Sequence, residues 1–254
     1  MLFLKKLSVY ISSLVVLILF YLILQTPERV WHLSVIAILV LFILFKLLTV
    51  KKLTWLENLK FFILIFFLTL ACLLFLLVIE NFYLKYFILI LTSLLTGAFF
   101  ELIFVYLYRS HKYQPFSLNR YYEYVSILIF FFLSSSFFAL QVFLNISFWL
   151  IGLILTLLAC ILFYLNLWLN KFEIKKNIIY FYILGLLTLE LSLALTWLPI
   201  SYYLKAFCLT IFYFLFIKFI NYQLRENWNK KKVLFYVLGG VGIVLLALVT
   251  ARWL

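Results

Sequence analysis

Aspartate does not occur in this chain: all eight acidic residues are glutamates, set against 21 lysines and arginines. Cysteine and histidine are nearly as scarce. Cys72, Cys160 and Cys208 each lie inside an apolar run and no CxxC occurs, which argues against a disulfide framework and against a cysteine-ligated metal. His32 falls near the expected outer surface and His111 in an expected cytoplasmic gap, so they are not placed to share a metal. HExxH, the P-loop and GxGxxG are all missing. No metal and no cofactor is expected, and no residue reads as catalytic, so the reading leans away from an enzyme. The prolines, Pro27, Pro115 and Pro199, stand outside the apolar runs, and glycine is rare within them. The broken helices that build midplane transporter sites are therefore not signalled.

What the chain has instead is apolar length. Of its 254 residues 69% are hydrophobic and 11% charged, against roughly half and a quarter in soluble domains. A soluble fold would expose much of this surface to water, whereas a bilayer core accepts it in stretches of about 20 residues. Nine such stretches are predicted, at 7–25, 31–50, 59–79, 84–107, 122–142, 146–168, 178–198, 201–221 and 233–251. They are expected to be helices, since a lipid-exposed segment must satisfy its own backbone polar groups. The expected fold is an all-α polytopic bundle forming a single integral membrane domain over 1–254. No charge occurs from Tyr124 to Asn170, too long for one crossing, and a turn is placed at Asn145. Lys5 and Lys6 ahead of an apolar run imitate a secretory signal. The run is too long for one and lacks a small-residue cleavage site, so a retained first helix is expected.

Basic residues occupy every second gap. All but four of the 21 fall in the set of gaps that begins with Lys5 and Lys6; the exceptions are Arg29, Lys85, Lys205 and Arg252. The positive-inside rule places that set in the cytoplasm, with the amino terminus inside and, for nine spans, the carboxyl terminus outside. A cell (inner) membrane location is expected. The net charge of +13 then points to anionic lipid headgroups as partners and not to nucleic acid. Tryptophan placement agrees with the spans. Trp31, Trp149, Trp197 and Trp253 fall near expected outer ends and Trp55, Trp168 and Trp228 near inner ones, where an indole keeps its N–H wet.

Charged side chains inside spans are costly and mark candidate sites. Glu190 lies in the seventh span between Thr188 and Ser192, and Glu101 lies in the fourth. Either is a proton or cation site or a general acid/base, or else a protonated or paired carboxyl that fixes helix packing; the structural alternative is favoured, more strongly for Glu101, which is within reach of Arg109 or the interface. At 1.5 Å per residue Glu190 lies about 12 Å inward from Leu198 and Lys205 about 7 Å inward on the next helix. An outward-facing cluster of Glu190, Lys205 and Arg252 is expected, with Tyr202 and Tyr203 at its rim. Ser134, Ser135 and Ser136 read as helix–helix glue, since no His, Lys or Asp stands at an activating distance, and Gly239, Gly240 and Gly242 read as a close-packing face.

The last third of the chain resembles uncharacterised multi-pass membrane proteins of small-genome bacteria. The resemblance rests on Glu190, on Trp197-Leu198-Pro199, on the aromatic span and basic residues that follow, and on Thr250-Ala251-Arg252-Trp253. It implies a bacterial membrane protein and brings no activity with it. Three roles follow from the whole sequence. The first is a membrane scaffold or assembly component, with a membrane-protein partner or a homo-oligomer. The second is a small transporter or permease using Glu190. The third is an intramembrane enzyme acting on a lipid-linked substrate.

Overall fold

A computed structural model describes residues 2–50, 52–224 and 230–251. Among the described residues there are nine α-helices and no strand. They are α1 Leu2–Gln25, α2 Val30–Thr49, α3 Trp55–Val78, α4 Phe82–Tyr108, α5 Ser117–Leu144, α6 Phe148–Leu169, α7 Ile178–Trp197, α8 Tyr202–Leu224 and α9 Lys230–Val249. Each falls on one expected span. Eight are long and apolar enough to cross a membrane, and the ninth contributes a shorter apolar stretch, Val233–Val249. The protein is a multi-pass integral membrane protein.

Local chemistry sets the helix boundaries. Thr54 and Glu57 form a reciprocal capping box at the start of α3, and Asn81 Oδ1 accepts from the N–H groups of Tyr83 and Leu84 at the start of α4. Asn145 takes a left-handed conformation, with φ of 51°, between α5 and α6. Asparagine tolerates that region better than most residues, and this is the turn the uncharged run required. Trp31, Trp55, Trp149, Trp168 and Trp197 all lie within the first or last turn of a helix. Trp228 and Trp253 lie outside the described residues.

Two compact units divide the chain, Met1–Val125 and Ser126–Leu254, with the boundary falling inside α5. In the first unit α1 lies antiparallel to α4 and against α2. Ser13 faces Gly97, and Ser93 Oγ donates to the Ser13 carbonyl at 2.8 Å. At one end Lys5 Nζ donates to Tyr108 Oη at 2.7 Å, which donates in turn to the Leu48 carbonyl at 2.8 Å. The amino end of α1 thus meets the carboxyl ends of α2 and α4. Charge alternation along the sequence requires such alternating helix directions. Phe45 fills the interior, 5.9 Å from Phe100 and 6.5 Å from Phe99 between ring centres.

In the second unit α6 and α7 form an antiparallel pair in regular register. Phe148 meets Trp197, Gly152 meets Ser192, Thr156 meets Thr188, and Phe163 meets Phe181. Gly152, Thr156 and Cys160 recur every fourth residue and face Gly185, Thr188 and Ser192. Small side chains at this spacing let two helix backbones approach closely in lipid. Helix α8 follows α7 through the short Pro199 turn, and α9 rests on α8 where Gly240 meets Leu215.

Candidate functional site

Helix α7 carries the candidate, and its helical phase decides what each polar residue does. Thr188 and Ser192 are buried against α6: Thr188 donates to the Leu184 carbonyl at 2.8 Å, and Ser192 to that of Leu189 at 2.8 Å. Glu190 is two residues from each. At about 100° per residue it points away from both, to the far side of the helix. The hydroxyls that seemed to surround it in sequence are seam residues bonded to their own helix.

That far side is an exposed stripe. Ile179, Ile183, Leu186, Glu190 and Trp197 recur at the three- and four-residue spacing of a helix-packing seam, and all are exposed. Glu190 is the one carboxylate in this stripe, which the exposed Tyr182 joins at four residues before Leu186. The carboxylate makes no hydrogen bond and no ion pair among the described residues. By residue count it stands about 10 Å from the Trp197 end of a helix about 30 Å long, well inside the hydrocarbon depth.

The expected cluster does not assemble around it. Lys205 is buried, yet its Nζ donates to the Thr196 carbonyl at 3.3 Å and not to Glu190. Lys205 sits in the first turn of α8, so it reaches the nearby carboxyl end of α7, while Glu190 faces elsewhere. Arg252 lies outside the described residues. The Tyr202 and Tyr203 rings meet at the same end, tilted at 46° with centres 4.2 Å apart. Glu101 in α4 is half-buried and makes no ion pair among the described residues; Arg109, the partner expected for it, lies over the Phe104 ring at 5.8 Å. No group of three or more metal-ligating side chains occurs among the described residues.

The small residues divide as their surroundings dictate. Ser134, Ser135 and Ser136 are all fully buried; Ser134 and Ser136 bond backward to the carbonyls of Phe131 and Phe132, while the Ser135 hydroxyl has no partner among the described residues. On α9 Gly240 alone makes the expected close contact. A Cβ there would stand 2.7 Å from Leu215 Cδ1, whereas Gly239 and Gly242 face open space.

One feature had no counterpart in the sequence reading. An apolar groove of about 290 Å³ runs between α7, α8 and α9, lined by Leu191, Leu195, Cys208, Phe212, Gly240 and Val244 among others. Only Gly240 carried any signal of it, because every face of these helices is apolar and a groove leaves no trace in hydropathy.

Comparison with protein-family models, with curated proteins and with solved structures finds no match to the chain.

Proposed function

We propose that this multi-pass membrane protein is a scaffold or assembly component that docks another membrane protein along the outer stripe of α7. One observation carries the reading: Glu190 lies within the span, on an exposed and largely apolar seam, with no partner among the described residues. A carboxylate facing hydrocarbon costs on the order of 3 kcal/mol, a cost that a partner offsets. The occupant that fits is a transmembrane helix with a basic or hydrogen-bond-donating side chain at the same depth. The 3–4 spacing of Ile179, Ile183, Leu186 and Trp197 supplies the apolar contacts on either side. The expected topology supports the same role: short loops, the amino terminus in the cytoplasm and the carboxyl terminus outside the cell (inner) membrane.

A photocrosslinking residue at Leu186, activated in native membranes, tests the proposal. A discrete protein adduct is expected, and Glu190→Leu removes it while the chain stays at normal abundance. Adducts to lipid alone, or a protein adduct indifferent to Glu190→Leu, overturn the docking role. Solute flux by the purified chain in liposomes, abolished by Glu190→Gln, would establish transport in its place.

A further inference from the structure

The groove between α7, α8 and α9 is a site of its own, separate from the exposed stripe of α7. Its α8 wall runs from Cys208 to Leu215 and its α9 wall from Gly240 to Leu248, each about 10–12 Å by helical rise. Gly240 lets α9 come down onto Leu215 at one end. Toward the other end the lining passes to Leu195, Cys208 and Leu248. Its free volume of about 290 Å³ suits a single flexible hydrocarbon chain.

A charge stands at its Leu195–Cys208 end. Lys205 lies three residues before Cys208, four before Leu209 and seven before Phe212, on the same face of α8 as these groove residues. It is about 4 Å beyond Cys208 along the axis, at the level of Tyr202, Tyr203 and Trp197, aromatic types that favour the headgroup region. The residue is 8% exposed, and among the described residues its ammonium makes one hydrogen bond, to the Thr196 carbonyl, out of three it can donate. A lysine held here is costly unless an anion meets it.

We propose that this groove binds one anionic glycerophospholipid, with an acyl chain between α7, α8 and α9 and the phosphate on Lys205 Nζ. Three observations converge on this occupant: an all-apolar lining, a volume suited to a single chain, and a cation one turn beyond the groove that is under-satisfied among the described residues. A headgroup phosphate supplies the acceptors that Thr196 alone does not. The dipole at the amino end of α8 adds to the local preference for negative charge.

The test uses the full chain in phosphatidylcholine nanodiscs doped with phosphatidylglycerol that carries a photoactivatable acyl chain. Labelling is expected to concentrate on peptides holding Leu191–Leu195 and Val241–Leu248. Unlabelled phosphatidylglycerol competes for it, and phosphatidylcholine and inorganic phosphate do not. Lys205→Gln weakens the apparent affinity about fivefold, while Lys205→Arg retains it. Val244→Trp fills the groove and removes the focused labelling; Val241→Phe serves as a second filler if the tryptophan variant elutes aggregated. Label spread evenly over all lipid-facing helices overturns the proposal, as does equal competition by phosphatidylcholine. Focused labelling that survives both fillers overturns the groove assignment. Competition by inorganic phosphate would make Lys205 a free-anion site and refute the lipid.

Discussion

Two glycines in different helix pairs should respond to the same substitution with opposite signs. A Cβ added at Gly185 meets Thr156 Cγ2 at 3.5 Å and Cys160 Sγ at 3.7 Å, ordinary contact distances. Gly185→Ala therefore adds dispersion contacts of about 0.1–0.2 kcal/mol each and removes a glycine penalty of about 1 kcal/mol. It should stabilise by up to about 1 kcal/mol. At Gly97 the added Cβ stands 3.0 Å from Ser13 Cβ. That atom is fixed to the α1 backbone and cannot rotate away, so α1 and α4 must separate. Overpacking of this kind costs about 1–3 kcal/mol, which outweighs the helix-propensity gain. Separation also stretches the bond from Ser93 Oγ to the Ser13 carbonyl, worth about 0.6 kcal/mol in a bilayer. Gly97→Ala should be net destabilising by about 1–2 kcal/mol. Gly239, with no neighbour within reach of its Cβ, is the control: Gly239→Ala should show the propensity gain alone. Reversible unfolding by steric trapping in bicelles measures all three. If Gly97→Ala and Gly185→Ala agree within about 0.5 kcal/mol, the packing assigned to these helix pairs is wrong.

Other substitutions probe the polar groups. Glu190→Leu and Glu190→Gln should leave the unfolding free energy of the isolated chain within about 0.5 kcal/mol of the parent, because the carboxylate faces away from its own bundle; a loss above about 1 kcal/mol by the same assay would place it in internal packing. Ser135→Ala should be neutral or stabilising by about 1 kcal/mol, since it deletes a buried hydroxyl without a partner; a clear loss of stability would reveal a bond that the structure lacks. Tyr108→Phe removes the hydroxyl that receives Lys5 Nζ and donates to the Leu48 carbonyl, and should cost about 1–2 kcal/mol. Spin labels on the end turns of α1 and α2 should then show a broadened distance distribution, and an unchanged one would refute the tie between those ends.

The boundaries of the spans and their division were legible in the sequence, down to Asn145, because a run without charge has to turn somewhere and asparagine accepts the left-handed conformation. The candidate site was legible only as an inventory. Glu190 is conspicuous in any reading of an apolar helix, and Lys205 nearly so. Their pairing was inferred from depth alone, and depth says nothing about direction round the helix axis. Thr188 and Ser192 looked like neighbours of Glu190 for the same reason. Two residues along a helix are close in sequence and nearly opposite in space.

What the sequence by itself determined is the solvent and the elements: a chain this apolar belongs in lipid, and lipid admits helices that satisfy their own backbone. Only the tertiary structure decided which side of each helix turns inward. In water that side shows itself as an apolar stripe. In a bilayer the buried and lipid-facing sides are both apolar, so the pattern carries little phase. The facing of Glu190, the α6–α7 seam and the groove beside Lys205 therefore emerge from packing: from where small residues let backbones meet and where large ones hold them apart.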